Sequence, residues 1–404
     1  MSIARIGTAS MYDSTINNLN SRQSSLVDLM EKTTAGKRVL RASDDPVAAA
    51  QAERARTRIS RSENDQRVLG AQRDVIAQGE SVLGTAQGAL QEFRDLVLKA
   101  GNGSFNQEAR DALVQQMNSL RDQILGYANT KDSNGLPIFR GLGSGSDPIQ
   151  STPPGSTGQL NPGQNTGADN GLPISLDGHA AWLNVPTGNG VFTVGGEAGN
   201  SGTAWADVGS VTDPSKVTGD SYSLVFSKDA TTGAVSYVIN SSAAGATNPI
   251  KPSQPYTAGQ AITVNGQQIT IKGEPADGDQ FVMEPSKRTD LFSVLDQAIA
   301  AVKQGTNGST ALQQAIGRSL SEIDAGMNRV QSMRSYAGDQ LNRADRLESG
   351  MKDQALTQEG ARSRAEDIDM ITALSDVETQ KVGLQAALQS YAQIQKLSLF
   401  NYIG

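Results

Sequence analysis

Two runs of apolar residues at seven-residue spacing, one in each half of the chain, restrict its fold more than any other feature. In the first, Leu69, Ile76, Leu83, Leu90 and Val97 form one row, with Val68, Val75, Val82, Ala89 and Leu96 as a second row beside it. In the second, Ile316, Ile323, Val330, Ala337, Ala344 and Met351 recur at the same interval. A seven-residue repeat keeps one face of an α-helix turned toward a partner helix, and two adjacent rows make a stripe wide enough for more than one partner. The spacing predicts one long helix from Pro46 to about Lys99 and another of nearly equal length ending near residue 355. If the chain runs out along one and back along the other, they pair antiparallel.

Shorter helices flank this pair. Tyr12, Ile16, Leu19, Gln23, Leu26, Met30 and Thr33 follow alternating steps of four and three, the rhythm of a coiled-coil seam, until Gly36 interrupts it. Met370, Leu374, Val377, Lys381, Leu384, Leu388, Tyr391 and Gln395 repeat the rhythm at the other end. Neither terminal segment has an evident core apart from the other, so each is expected to need neighbouring subunits. A third helix carries Leu113, Met117, Leu120, Ile124 and Tyr127 up to a turn at Asp132–Gly135, and a fourth carries Leu291, Leu295, Ala298 and Val302 behind Thr289 or Asp290 as cap. Ser104 with Gln107, and Thr310 with Gln313, match the capping box that starts a helix.

Between residues 141 and 286 the composition turns to Gly, Ser, Thr, Asn and Pro. Short β-rich runs at Tyr222–Ser227, Ala234–Ile239, Ala261–Val264 and Gln268–Lys272 read as strands, and Asn265-Gly266 as a hairpin turn. The expected fold class is α+β: an elongated heptad-patterned helical bundle formed by the N- and C-terminal segments, with an inserted mainly-β domain. The expected divisions are 1–43, 44–140, 141–286 with a loop-like entry near 143–171, 287–356 and 357–404.

Composition removes several functions. A net charge of -7 argues against a general nucleic-acid binder, because phosphate contacts require a basic face, so nucleic acid is not an expected partner. With no Cys and one His, His179, there is no thiolate or paired-histidine metal site and no cysteine nucleophile. No run of about 18 apolar residues offers itself to a membrane, and the first twenty residues hold no apolar signal core. The expectation is a soluble chain, with export by a route lacking a cleaved signal left open.

The remaining polar clusters have bland readings. Gly141, Gly143 and Gly145 lack the strand-then-helix setting of a phosphate loop. Asp277 and Asp279 suit a β-turn better than a calcium loop, and His179 near Trp182 has no triad partner. Within GKRVLRASDDPVAAAQ, Ser43, Asp44, Asp45 and Pro46 form a helix start: proline suits the first helical position, and the carboxylates suit orphan N–H groups at the positive end of the dipole. Arg54, Arg58 and Arg61 align as a stripe that is either a solvated face or a contact for acidic residues of a neighbour, such as Glu366, Asp367 or Asp369. No cofactor, metal or enzymatic activity is expected.

The run RIGTASMYDSTINNLNSRQSSLVDLMEKTTAGKRVLRASDDPVAAAQ resembles the N-terminal segment of the flagellin superfamily, and SRAEDIDMITALSDVETQKVGLQAALQSYAQIQKLSLFNYIG resembles its tail. The GKR…SDDP form is most similar to that of its hook–filament junction branch, and the terminal LSLFNYI looks like the end of that family's tail. The resemblance implies a non-enzymatic subunit, exported unfolded through the flagellar type III apparatus and secreted to the junction. Its implied partners are other copies of itself, hook-associated protein 1, flagellin and an export chaperone. By the same resemblance, residues 1–35 and about 357–404 are inner-tube helices. Tyr12, Ile16, Leu19, Leu26, Met30, Leu374, Val377, Leu384, Leu388 and Tyr391 are then the assembly interface, and Leu384, Leu388, Leu397, Leu399 and Phe400 the chaperone contact. The alternatives are flagellin or a flagellin-like filament subunit, and an adhesive or enzymatic surface module on the same helical frame.

Overall fold

The computed structural model describes residues 8–102, 106–141, 172–306 and 309–403. The expected entry loop at 143–171 and the residues Ser104, Gly143 and Gly145 lie outside them. The chain falls into two compact units, one drawn from residues up to 68 and from 346 onward, the other from 69–345.

The first unit is helical. It contains α1 (Thr8–Ala35), the start of α2 (Pro46–Ala100), the end of α5 (Thr310–Glu366) and α6 (Met370–Ile403). Gly36 ends α1 with φ +69, a backbone region where a side chain is strained. α1 and α6 lie antiparallel: Lys37 bridges to Asp367 at one end, and a Cβ added to Gly383 further along would come within 3.1 Å of Arg22 Nη1. The inward row of α6 is Ala373, Val377, Gln380, Leu384, Ala387 and Tyr391, buried or half-buried, while Met370, Leu374, Lys381 and Leu388 are exposed. The four-three rhythm is therefore present in a row overlapping the one read from sequence. Among the described residues, α6 has apolar side chains on several faces, and the row facing α1 is the covered one.

In the second unit α2 buries Leu69, Ile76, Leu83, Leu90 and Val97, as its repeat predicts. The second buried row is Ala86, Phe93 and Ala100, joined by Gly79; of the row expected beside the first, Leu96 is buried, Val75, Val82 and Ala89 are half-buried and Val68 is exposed. Residues three apart share a helix face, whereas adjacent ones point about 100° apart, so the consistently buried second row lies at i+3, and the i-1 row is buried only at Leu96. Gly79 is small of necessity: a Cβ there would lie 2.5 Å from Leu176 Cδ1. Opposite, α5 buries Ile316, Ile323, Val330, Ala337 and Ala344, and the ion pairs Arg94–Asp324, Arg334–Glu80 and Arg73–Asp345 record an antiparallel register. α5 runs on to Glu366, past the expected end near 355, with Gly360 inside the helix.

Helix starts differ slightly from the capping-box matches. α3 (Gln107–Ala128) is capped by Asn106, whose side chain accepts from Ala109 N at 2.9 Å, and α5 by Ser309, whose Oγ accepts from Leu312 N at 3.3 Å. α4 (Leu291–Gln304) uses Asp290, at 2.7 Å from Ser293 N. In each case the cap is the residue immediately before the first helical one, where the orphan N–H groups converge.

The insert opens and closes with a two-stranded ribbon, β1 (Val185–Pro186) against β11 (Arg288–Thr289). Beyond it an antiparallel sheet runs in the order β2 (Phe192–Gly196), β10 (Gln280–Pro285), β5 (Tyr222–Lys228), β6 (Val235–Ser241), β7 (Lys251–Pro255). A second sheet joins β3 (Trp205–Ala206), β4 (Ser210–Val211) and β8 (Ala261–Val264) to β9 (Gln267–Lys272). Phe192, Tyr222, Leu224, Phe226, Ile269, Ile271 and Phe281 of both sheets share one core. Asn265 and Gly266 turn the β8–β9 hairpin with φ 43 and 76, the left-handed pair a two-residue loop requires. Pro252 and Pro255 blunt the β7 edge against further strand pairing.

Hydrogen bonds tie the insert to α5. Gly188 N donates to the buried Glu322 Oε1 at 3.0 Å, Ser321 Oγ to Gly188 O at 2.8 Å, and Gln314 Nε2 to Val194 O at 3.3 Å. Burial raises the Glu322 carboxyl above its ordinary range, against the Gly188 N–H and the Arg318 charge. Its stabilising contribution is thus present below the ordinary carboxylate pKa and lost as pH rises through the higher folded value. Phe93→Ala is expected to lower unfolding free energy by roughly 3–5 kcal/mol and Val68→Ala by less than about 0.5. Denaturant midpoints followed by Trp fluorescence check this contrast, and equal losses would contradict the row assignment.

Candidate assembly site at the terminal helices

The segment joining α1 to α2 lies beside the one joining α5 to α6. Ile368 N donates to Gly36 O at 3.1 Å, Arg38 N to Glu366 O at 2.7 Å and Val39 N to the same oxygen at 3.4 Å. The Glu366 side chain between them is only 4 % exposed. Its carboxylate accepts Arg56 Nη2 on both oxygens at 2.5 Å, pairs with Lys37 Nζ, and has Arg362 Nη1 at 3.6 Å. Burial by itself would raise this pKa, but the Lys37 bond and the charges of Arg56 and Arg362 hold it below the ordinary value of 4.5. Arg38 adds a second tie, reaching Asp45 Oδ2 at 3.2 Å and Ala365 O at 2.9 Å.

The Ser43–Pro46 cluster divides its work. Asp45 occupies the N-cap of α2, with Oδ1 accepting from Ala48 N at 3.0 Å, and Pro46 is the first helical residue. Asp44 closes the preceding turn, accepting from Leu40 N at 3.1 Å and Arg41 N at 3.0 Å, and Ser43 is exposed within that turn. Both carboxyls lie below the usual range, chiefly through the Arg41 N–H for Asp44 and the Ala48 N–H for Asp45. The stripe Arg54, Arg58, Arg61 does not reach Glu366. Arg56, between them on the helix, takes that role within the same chain, while Arg58 Nη1 reaches Gln358 at 3.4 Å. Glu366 is thus an internal anchor, not a docking carboxylate for a neighbour. The network of Lys37, Arg38, Arg56 and Glu366 was not visible in sequence, since nothing local pairs residues 310 apart.

Of the anticipated interface residues, Leu26 is buried and Ile16, Leu19, Val377, Leu384 and Tyr391 are half-buried in the α1–α6 pair. Met30 is exposed, as are Leu374 at 57% and Leu388 at 50%. Val27, Val382 and Ile371, the last at 84%, extend the uncovered apolar surface and were missed because they fall off the four-three rows. The side chains of Tyr12, Leu397, Leu399 and Phe400 lie outside the described residues.

The other clusters are structural. Asp279 is buried and accepts from Ser201 N, Gly202 N and Ala276 N at 2.8, 3.0 and 2.8 Å, and Asp277 accepts from Lys228 N at 2.9 Å. Gly141 N donates to Leu176 O at 2.9 Å, and His179 is exposed. Among the described residues no group of three or more His, Cys, Asp or Glu could hold a metal ion. Nor is any helix long and apolar enough to cross a membrane.

A pair of terminal helices anchored on a long antiparallel pair, with a β insert between the two long helices, defines a flagellin-type subunit, and comparison with known families agrees. The bacterial flagellin N-terminal helical region matches residues 6–144 and the C-terminal helical region residues 320–403. The chain belongs to the flagellin superfamily. Within it, its full-length homologues are hook-associated protein 3: that of Escherichia coli K12 is 26% identical over 404 residues, covering 98% of each chain. The crystal structure of hook-associated protein 3 from Legionella pneumophila aligns with TM-score 0.71 at 26% identity, covering 77% of this chain and 98% of that one. A Legionella pneumophila flagellar junction protein aligns with TM-score 0.65 at 27% identity, covering 72% and 98%. Flagellins match only about a third of the chain.

Glu366→Ala leaves Lys37 and Arg56 without their shared carboxylate. Its expected cost is about 1–3 kcal/mol, below the roughly 3–5 of a fully buried pair because the cations are partly exposed. In the native chain this contribution is complete above the ordinary carboxylate pKa of 4.5 and lost as pH falls through the lower folded value. Thermal melts at pH 7 and below pH 4 test it: the wild-type and variant curves should converge in acid, and an equal gap at both would contradict the assignment.

Proposed function

We propose that this chain is a structural subunit of the bacterial flagellum, exported to its hook–filament junction, where it packs against further copies of itself, hook-associated protein 1 on one side and flagellin on the other. The observation that carries the reading is the apolar surface that α1 and α6 leave uncovered, Val27, Met30, Met370, Ile371, Leu374, Val382 and Leu388, in a chain homologous to hook-associated protein 3 along its length. A two-helix pair buries one row from each helix, so the remaining apolar residues need other chains to remove them from water. Seven such side chains are more than a monomer's scattered surface needs. The partial match of flagellins favours the junction role over that of a bulk filament subunit.

Before assembly the same stripe needs a temporary cover. Leu384 and Leu388, continued in sequence by Leu397, Leu399 and Phe400, are the segment we assign to an export chaperone. The chemistry is apolar burial of that segment, with no reaction and no cofactor.

Ile371→Asp and Leu374→Asp alter exposed positions outside the segment assigned to the chaperone, so folding and export should be retained while filament attachment is lost. The check is flagellin in the growth medium. Cells lacking the gene, and cells carrying the double variant, should both shed unattached flagellin and fail to swim. Normal filaments on cells lacking the gene would refute the junction role. Normal filaments with the double variant alone would refute this helix face as its means.

A further inference from the structure

The arginines of α2 are unevenly satisfied. Arg56, Arg73 and Arg94 each hold a carboxylate of α5, at 2.5, 3.2 and 2.6 Å. Arg54 and Arg61 have no ion-pair or hydrogen-bond partner among the described residues, and Arg58 has only the Gln358 amide. Val47, Gln51, Arg54, Arg58 and Arg61 follow four-three spacing on one exposed face of α2. This face meets a groove of about 400 Å³ between α2 and α5, lined by Val47, Gln51, Ala361 and Arg364. Val47 is 68% exposed at the groove, and Arg364 is a further exposed cation without a partner among the described residues. Three arginines on one face of α2, with Arg364 of α5 across the groove from Val47, thus make a locally basic stripe, although the chain's overall charge is -7.

The compensating charge is distributed unequally. Basic and acidic residues nearly balance in the unit drawn from residues up to 68 and from 346 onward, whereas acidic residues clearly outnumber basic ones in 69–345. In the acidic unit Asp74, Glu92 and Asp339 are exposed and have no cation partner among the described residues. A basic stripe on one unit and surplus carboxylates on the other are complementary between copies of the same chain. A contact joining different surfaces of two copies is heterologous, and heterologous contacts propagate into rings or helices. We propose that the Arg54–Arg58–Arg61 stripe, with Arg364 and Val47, is a lateral docking surface for the acidic 69–345 unit of a second copy. This rests on the assembly role proposed above, but uses a surface separate from the apolar faces of α1 and α6. Exposed ion pairs add little affinity one by one; several aligned charges set orientation and rate of encounter and exclude wrong partners.

The test uses the full chain in cells. The triple variant Arg54→Glu, Arg58→Glu, Arg61→Glu should be exported at the wild-type level with unchanged helicity, since the three side chains are exposed, yet retain at least ten-fold fewer filaments. The matching Arg→Lys triple should retain them. In flagella bearing the Arg→Lys triple, assembled from mixed light and heavy isotope-labelled copies, carbodiimide should join the substituted positions to carboxylates in 69–345 of another copy. Full filament retention by the Glu triple would overturn the inference, as would cross-links confined to one chain or made only to a different protein. If cells without the gene keep their filaments, the junction role itself fails; if they lose them while the Glu triple does not, only this surface fails.

Discussion

The arrangement of the terminal helices depends on one buried carboxylate. A charge removed from water is tolerated only where opposite charges and hydrogen bonds replace the solvent, and Glu366 obtains these from three places along the chain: Lys37 after α1, Arg56 on α2, and Arg362 one turn earlier on α5. The backbone reinforces it, since Arg38 N and Val39 N both donate to Glu366 O. A hydrophobic contact at this point could slide along a heptad; an ion pair with a defined fork cannot. Glu366 therefore fixes where α1 and α6 begin relative to the ends of α2 and α5, and so which of their faces meet.

Once that start is fixed, the rest follows from how many partners each helix has. In 69–345, α2 buries a second row at Ala86, Phe93 and Ala100, and the segments carrying Ile138 and Leu176 press close enough on it to require Gly79. Toward its beginning α2 buries Ala48, Ala52 and Ala55, small residues against the α5 end that includes Ala365, and leaves the arginine face open. α6 lies at the extreme: among the described residues one row is covered, by α1, and apolar side chains remain outside. The gradient from fully packed to half-packed helix is what distinguishes an assembly subunit from a finished globular fold.

Most of this plan was legible because heptad spacing is a long-range signal repeated many times, and because Asn265-Gly266 and Asp290 are strong local ones. The rows themselves were harder. Val68, Val75 and Val82 are as apolar as the row beside them, and only the geometry of an actual partner tells that Phe93 faces inward and Val68 does not. Ser309 and Asn106 are the caps, one residue before Thr310 and two after Ser104, because a cap is defined by where the first turn starts, which a shift of one or two residues changes. Glu366 looked like one acid among Glu366, Asp367 and Asp369, and its burial arises from two chain segments more than 300 residues apart. The insert carries neither a long repeat nor a resemblance, so it was read from strand patterns alone, yet four of its strands were recognised within a residue or two.

The most direct test of this account is an electron cryomicroscopy map of the assembled hook–filament junction at side-chain resolution. The account predicts that Glu366 still holds Lys37 and Arg56 of its own chain, while Ile371, Leu374 and Leu388 are buried against other chains. A map in which Glu366 pairs with a neighbouring subunit's cation, or in which those three apolar side chains remain in solvent, would contradict it.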